Sequence, residues 1–136
     1  MMKHVTREDS VAVFNQAGNN KTFQEDAGAS LDTQWNCFDE ESEELYEAID
    51  NYVDALAQGS GEDVEATRAQ LVKEWADVQV TLSNLAWYFG IPADAAFNRV
   101  HNSNMSKVSE RGKLLYREDG KILKGSNYVA PDMKGL

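Results

Sequence analysis

The fold is decided by residues 30–57, SLDTQWNCFDEESEELYEAIDNYVDALA, in which apolar residues recur every three or four positions. This spacing places them on one side of a helix of about 27 residues, with a single polar gap at Ser42. Ser30 is predicted to be the N-cap, and the turn-forming sequence QGSG predicts the end of the helix. The apolar stripe consists of Leu31, Trp35, Phe38, Leu45, Ile49, Val53 and Leu56.

The same helix carries a concentration of negative charge. In residues 38–50, FDEESEELYEAID, seven of the thirteen residues are acidic, and residues 22–67 hold 14 acids and no Lys, Arg or His. Like charges three or four residues apart on a helix repel each other. Either a counter-charge comes from elsewhere, or the helix has a solvated acidic surface, and charge alone leaves both interpretations open.

Three further helices are predicted on either side of this one. The first covers residues 7–16 and begins with a capping box formed by Thr6 and Asp9, and residues 17–30 are predicted to be a loop. The third begins at about residue 63 and ends at Gly90, before Pro92. The last covers residues 93–108, and its predicted inward side consists of Phe97, Val100, Asn104 and Val108.

The C-terminal segment has a different character. Residues 114–124, LLYREDGKILK, place an Asp-Gly pair between two short β-capable runs, which indicates a hairpin, and an extended segment follows. We therefore predict an all-α bundle of four to five helices with a short C-terminal hairpin or extended tail, as one domain over residues 1–136. Long stripes such as that of Leu71, Trp75, Val78, Leu82, Leu85 and Phe89 hold more apolar surface than a small monomer covers. We therefore expect a homodimer or homotetramer.

The composition excludes several classes of protein. The net charge is −10, and the acidic middle of the chain argues against a broad basic face for nucleic acid. No apolar run reaches the length of a membrane span, and no apolar leader is visible at the N-terminus. Cys37 is the only cysteine, which excludes intrachain disulfides, and it is interpreted as a small buried residue. A cytoplasmic location fits these features.

Two pairs of carboxylates have the spacing of one helix face. Glu44 lies three residues after Glu41 and four after Glu40, while Glu74 and Asp77 are three apart on the next long helix. If these helices are antiparallel neighbours, the pairs face each other. Carboxylate oxygens from two helices suit a hard divalent cation such as Mg²⁺, which leaves positions open for phosphate oxygens.

These motifs resemble a known enzyme family. The segments EESEEL (40–45) and EWAD (74–77) are similar to the EExxE…ExxD signature of the all-α nucleoside-triphosphate pyrophosphohydrolases, the MazG-like proteins. The continuation DVQVTLSNLAWYFGI (77–91) also resembles this family. The tail DGKILKGSNYVAPDM (119–133) is similar to a branch related to phosphoribosyl-ATP pyrophosphohydrolase.

The resemblance implies an activity and roles for the acidic residues. The expected reaction is Mg²⁺-dependent hydrolysis between the α- and β-phosphates of a nucleoside triphosphate, with Mn²⁺ as a substitute ion, giving a nucleoside monophosphate and pyrophosphate. By this resemblance the metal is held by Glu41, Glu44, Glu74 and Asp77. Glu40 supports these ligands, binds a further ion or orients the attacking water, so that Glu40, Glu41 and Glu44 form the catalytic motif.

The resemblance and the residue types also suggest where the nucleotide binds. The segment VHNSNMSKV (100–108) is similar to the family's phosphate-contact segment, here carried by Asn104 and Lys107. Further candidates for phosphate are Arg111, Lys121 and Lys124, and Tyr128 either reaches the substrate or anchors the tail. The candidates for base recognition are Phe14, Asn15, Gln34 and Trp35, although relatives have a histidine near FNQAG (14–18), where Asn15 stands.

Two alternatives to this function stay open at the level of the sequence. One is hydrolysis of phosphoribosyl-ATP, which a direct test of that substrate distinguishes. The other is a non-catalytic acidic helical module that binds a partner or a metal, for which Glu44→Gln or Asp77→Asn would leave the function intact.

Overall fold

A computed structural model describes residues 4–136. The chain forms two compact units, which meet in sequence between Gly90 and Ile91 and are described separately. The helices are α1 (Arg7–Ala17), α2 (Phe23–Asp26), α3 (Leu31–Gln58), α4 (Gly61–Phe89) and α5 (Ala93–Met105). Within residues 4–136 the only β-structure is one isolated bridge, which confirms the predicted all-α class.

Capping residues fix the ends of the helices in the first unit. The Thr6 hydroxyl accepts from the backbone N–H of Asp9, whose carboxylate accepts from the Thr6 N–H, so the predicted capping box is confirmed. Ser60 and Asp63 form the same arrangement at α4, which explains why α4 begins two residues before the predicted start. Gly90 ends α4 in the left-handed conformation, at φ 67°, as the sequence predicts.

The predicted loop between α1 and α3 contains an unforeseen short helix, α2. Thr22 caps it, and the Phe23 ring lies edge-on to Tyr88 with their centroids 5.9 Å apart, which packs α2 on α4. The Ser30 side chain does not cap α3 as predicted, because its hydroxyl donates to the Asp26 carboxylate instead. A charged acceptor makes the stronger hydrogen bond, so Ser30 ties the end of α2 to the start of α3.

Helices α3 and α4 are antiparallel neighbours, which is the condition under which the two pairs of carboxylates face each other, and only Gly59 and Ser60 connect them. Near the open end the Ser30 hydroxyl lies 3.4 Å from the Tyr88 hydroxyl. Further along, the Asn84 amide nitrogen donates to the Gln34 amide oxygen. Contacts that advance along α3 while they recede along α4 establish the antiparallel register that brings the two acidic motifs together.

Alanines, rather than the predicted large residues, make up most of the buried apolar residues of the first unit. The buried apolar residues are Val11, Ala48, Ala55, Ala86 and Tyr88. Trp35 and Trp75, predicted to lie in the core stripes, are 68% and 55% exposed, and Cys37 is also exposed rather than buried. The buried apolar positions of α3 and α4 include alanines, whereas both tryptophans lie on exposed sides of their helices.

In the second unit, α5 is three residues shorter than predicted. The Ser106 hydroxyl accepts from the Val129 N–H at 2.8 Å, and the Ser103 hydroxyl donates to the Val129 carbonyl at 2.7 Å. These bonds dock the C-terminal segment on α5 through Ser103, which is buried. The predicted inward side is therefore wrong: Phe97 is 70% exposed, because the tail covers a polar side of the helix.

The predicted hairpin is present as a short antiparallel turn. Tyr116 and Ile122 form the bridge, the Arg117 N–H donates to the Lys121 carbonyl at 2.7 Å, and Gly120 has a φ of 85°. A positive φ at this position favours glycine, which explains the Asp-Gly signal. Among residues 4–136, no helix has the length and apolar character needed to cross a membrane.

Candidate active site

Three of the predicted carboxylates meet between α3 and α4. Glu41 and Glu44, one turn apart on α3, and Glu74 on α4 each contribute a carboxylate oxygen to a group in which all three atoms lie within 4.8 Å of one another. Glu74 is only 3% exposed, whereas Glu44 is exposed at the edge of the group. We call these three residues the acidic cluster. The antiparallel register of α3 and α4 forms the acidic cluster, because Glu74 is 30 or more positions away from Glu41 and Glu44 in the sequence.

Two oxygens of the acidic cluster are buried without a hydrogen-bond partner. They are Oε2 of Glu41 and Oε2 of Glu74. The other oxygen of Glu74 accepts from the Gln70 amide and from the Lys73 ammonium, the latter at 3.1 Å. A buried, unpaired carboxylate oxygen is costly, and two of them in one cluster call for a cation. All-oxygen donors are the set that hard divalent ions prefer, so the cluster fits the predicted metal site.

Charge repulsion acts on the carboxyl group of Glu44. Repulsion from Glu41, and then from Glu74, raises the pKa of the Glu44 carboxyl above its ordinary value. On the other side, hydrogen bonds to Asp77 and Glu74 raise the pKa of the Lys73 ammonium above its ordinary value. Lys73 therefore stays charged and compensates part of the cluster, but it does not reach the two unpaired oxygens.

Asp77 and Glu40, the remaining members of the predicted motif, stand outside the acidic cluster. Asp77 is half-buried, and its Oδ2 lies 2.8 Å from the Lys73 ammonium in an i, i+4 pair. Glu40 is exposed on α3 next to Glu41. The structure thus brings three of the four predicted metal ligands together and gives the fourth a lysine partner.

A small cavity opens beside the acidic cluster. It encloses about 350 Å³ and is bordered by Glu44 and Glu74 together with Glu47, Asn51 and Gln70. Asn51 and Gln70 did not emerge from the sequence reasoning. The available signal was helical spacing, because Asn51 lies two turns after Glu44 and Gln70 one turn before Glu74.

A larger cavity lies between α1, α3 and α4. It encloses about 750 Å³, and its wall includes the predicted residues Phe14, Asn15 and Gln34, but not Trp35. Phe14 is 76% exposed, so its ring is available at the cavity wall instead of being part of a core. Cys37 and Thr81 also border the cavity. We call it the nucleoside cavity, after the sequence-based candidates for base recognition in its wall.

Four amide side chains form a continuous hydrogen-bonded row along the wall of the nucleoside cavity. The Asn20 amide nitrogen donates to the Asn15 oxygen at 2.9 Å, and the Asn15 nitrogen donates to the Asn84 oxygen at 2.7 Å. The Asn84 nitrogen donates in turn to the Gln34 oxygen. Asn20 and Asn84 were missed because their partners lie on other elements of the chain, so no sequence spacing reveals the row.

The nucleoside cavity and the acidic cluster share one side of α3. Gln34, Cys37, Glu41 and Glu44 follow one another at spacings of three or four residues, which places them on one face. Gln34 precedes Glu41 by two turns, or about 10 Å along the axis. A ligand that occupies the cavity can therefore extend toward the carboxylates.

The predicted phosphate-binding residues all belong to the second unit. The Lys107 ammonium donates to the Asn104 amide oxygen at 3.0 Å, one turn apart on an exposed stretch. The Lys124 ammonium lies 4.8 Å from the centre of the Tyr128 ring, a cation–π contact within the C-terminal segment. Arg111 is exposed in the turn that follows α5.

Comparison with known families adds an independent finding to this geometry. The model of a family described as phosphoribosyl-ATP pyrophosphohydrolase matches residues 15–104, about two thirds of the chain. The matched range includes both acidic motifs and the nucleoside-cavity residues of α3 and α4. The curated proteins contain no match to this chain.

Proposed function

Because this chain belongs to the phosphoribosyl-ATP pyrophosphohydrolase family, it is a hydrolase acting on phosphoric anhydrides of nucleotide-like substrates, and we propose that it hydrolyses a nucleoside triphosphate. In the proposed reaction, water attacks the α-phosphorus and the bond to the bridging oxygen breaks. The products are a nucleoside monophosphate and pyrophosphate. Mg²⁺ is the proposed cofactor, with Mn²⁺ as a substitute.

The observation that carries this proposal is the pair of unpaired, buried oxygens on Glu41 and Glu74. A bound cation would compensate both oxygens at once, and the family is typically metal-dependent. In the proposal, Glu41, Glu44 and Glu74 would hold the ion, and Asp77, which pairs with Lys73, would be the fourth ligand. When bound, the ion neutralises phosphate charge and lowers the pKa of a coordinated water.

The side chains around the acidic cluster have separate proposed tasks. Glu40, adjacent to Glu41 and exposed, orients the attacking water and accepts its proton. Lys73, which keeps its proton because of Asp77 and Glu74, offers a positive charge beside the phosphates. The antiparallel helices hold these groups in place, so little reorganisation is needed when the substrate binds.

The nucleoside cavity is proposed to hold the base and sugar. Phe14 offers a ring face for stacking, and the amide row offers hydrogen bonds to the base edge. Asn104 and Lys107 are proposed to bind phosphate oxygens, with Arg111, Lys124 and Tyr128 as further contacts, on the basis of the sequence resemblance. A cytoplasmic homo-oligomer is also proposed: the exposed Trp35 and Trp75 supply apolar surface for a second copy.

Phosphoribosyl-ATP is the second candidate substrate, because the description of the family names it. That substrate carries an additional phosphate on a ribose attached to the adenine, which requires cationic side chains at the base end. The wall of the nucleoside cavity includes one lysine, Lys21, whose ammonium donates to Asn19 at 3.4 Å. A single exposed lysine favours an unmodified base, and hence the nucleoside triphosphate.

A nucleotide panel tests both candidates. Pyrophosphate and monophosphate are measured with common and modified triphosphates and with phosphoribosyl-ATP, in Mg²⁺ and in EDTA. We expect Mg²⁺-dependent release from a triphosphate, its loss in Glu74→Gln, and its retention in Glu43→Gln, since Glu43 is exposed and outside the cluster. Release from phosphoribosyl-ATP alone would transfer the proposal to the second candidate, and equal activity of the two variants would contradict the site.

A further inference from the structure

The amide row has a direction that a backbone atom fixes. The Asn15 side-chain nitrogen donates to the Val11 carbonyl at 3.0 Å, and a carbonyl oxygen accepts hydrogen bonds only. The terminal atom of Asn15 that faces Val11 must therefore be nitrogen. Because Asn15 is 3% exposed, water does not offer an alternative partner.

This orientation passes from one amide to the next. The same Asn15 nitrogen faces Asn84 at 2.7 Å, so the Asn84 atom opposite it must be oxygen. The Asn84 nitrogen then points toward Gln34, and the Gln34 atom that meets it must also be oxygen. The NH₂ group of Gln34 consequently lies on the side of the amide that does not face Asn84. Among residues 4–136 this NH₂ group has no hydrogen-bond partner, and Gln34 borders the nucleoside cavity.

We propose that Asn15 and Asn84 hold Gln34 as a hydrogen-bond donor, and that Gln34 thereby selects nucleobases with an exocyclic oxo group over those with an amino group. The inference rests on the proposed function, since it assumes that the base enters the nucleoside cavity while the phosphates lie at the acidic cluster. With the phosphates at Glu41, two turns away on the same face, the base edge farthest from the sugar meets Gln34.

Uracil and hypoxanthine present an oxo group at that edge, whereas cytosine and adenine present an amino group. An amino group opposite the Gln34 NH₂ leaves two donors face to face, and one of them loses its partner. The preferred substrates are therefore nucleotides whose base carries an oxo group at that edge, as uracil, thymine, hypoxanthine and guanine do. An unsatisfied donor of this kind corresponds to about tenfold in binding.

Equilibrium binding of nucleoside monophosphates tests the inference without requiring hydrolysis. Calorimetry compares UMP with CMP and IMP with AMP, two pairs that differ at this edge. We expect the oxo member of each pair to bind about tenfold more tightly. Equal binding, preference for the amino members, or no binding of any of the four would overturn the inference. Pyrophosphate release from the nucleotide panel judges the proposed function independently.

Variants that reverse the base preference test whether the amide row orients Gln34 or only packs against it. In Asn84→Asp, both terminal atoms of residue 84 are acceptors, so Gln34 turns its NH₂ toward it and its oxygen toward the cavity. The preference should then change to CMP and AMP. Gln34→Glu, which places an oxygen in the cavity directly, should give the same reversal even if the first variant does not fold.

The matched control is Asn19→Asp, which introduces the same charge on the wall of the cavity but outside the amide row. It should keep the oxo preference. If Asn84→Asp and Gln34→Glu, once shown to be folded, weaken both members of each pair equally, the row has only a structural role and the inference is wrong.

Discussion

Removing one charge from the acidic cluster should make the metal-free protein more stable. Glu41 is the best position for this change, because its buried Oε2 has no partner and Lys73 bonds to Glu74 and Asp77 instead. The substitution Glu41→Gln preserves the shape of the side chain. It also supplies an NH₂ group that can donate to the unpaired oxygen of Glu74.

The magnitude follows from the separation of the charges. Two unit charges 4.8 Å apart, the outer limit in the cluster, repel by about 3.5 kcal/mol at an effective dielectric constant of about 20. Relaxation of the side chains already removes part of this repulsion in the wild type. We therefore expect Glu41→Gln to raise the free energy of unfolding by roughly 1–3 kcal/mol in EDTA.

Urea unfolding followed by circular dichroism, at one fixed protein concentration, measures this change. The control is Glu43→Gln, which alters the same net charge on an exposed side of α3 and should change stability little. Mg²⁺ at 1,000 times the dissociation constant should reverse the order, because the wild type then gains about 4.1 kcal/mol, more than the difference expected in EDTA, whereas Glu41→Gln gains little. If Glu41→Gln is no more stable than Glu43→Gln in EDTA, repulsion within the acidic cluster does not destabilise the metal-free protein.

Three further changes test other parts of the molecule. The hydrogen bond from the Ser30 hydroxyl lowers the pKa of Asp26 below 3.8, so the stability that Ser30→Ala removes is present above pH 3.8 and is lost as the pH falls through the pKa of the folded state. In urea unfolding, the difference in stability between wild type and Ser30→Ala should therefore be smaller at pH 3 than at pH 6. Tyr88→Ala, at a position 1% exposed, should lower the free energy of unfolding by about 3–5 kcal/mol in the same assay. Lys107→Ala should lower kcat/KM about tenfold in steady-state kinetics while the exposed control Lys113→Ala does not; equal effects would contradict phosphate binding by Lys107.

The acidic cluster could be predicted from the sequence. Helical spacing shows which carboxylates share one face of a helix, and a short connection makes two neighbouring helices antiparallel. Those two rules place Glu41 and Glu44 opposite Glu74 without knowledge of any other contact. They do not determine the partner of Asp77, since a lysine one turn earlier competes for the same carboxylate. Local pairing of that kind depends on side-chain geometry rather than on spacing.

The amide row and the packing of the helices could not be predicted from the sequence, for different reasons. Asn15 and Asn84 are 69 positions apart, and single polar residues in helices carry no signal of what they face. The apolar stripes identified helices correctly, but periodicity does not reveal how closely two helices approach. The buried positions on the two long helices include Ala48 and Ala86, whereas Trp35 is 68% exposed.

The anchoring of Asn15 by a backbone carbonyl has an evolutionary consequence. Every residue type at position 11 offers the same carbonyl, so the atom that orients the row is insensitive to mutation of its own side chain. By contrast, the codons of asparagine and aspartate differ in one base, as do those of glutamine and glutamate. A change at Asn84 or Gln34 is therefore one nucleotide away, and descendants of this chain could acquire a different base preference while the backbone and the acidic cluster stay unchanged.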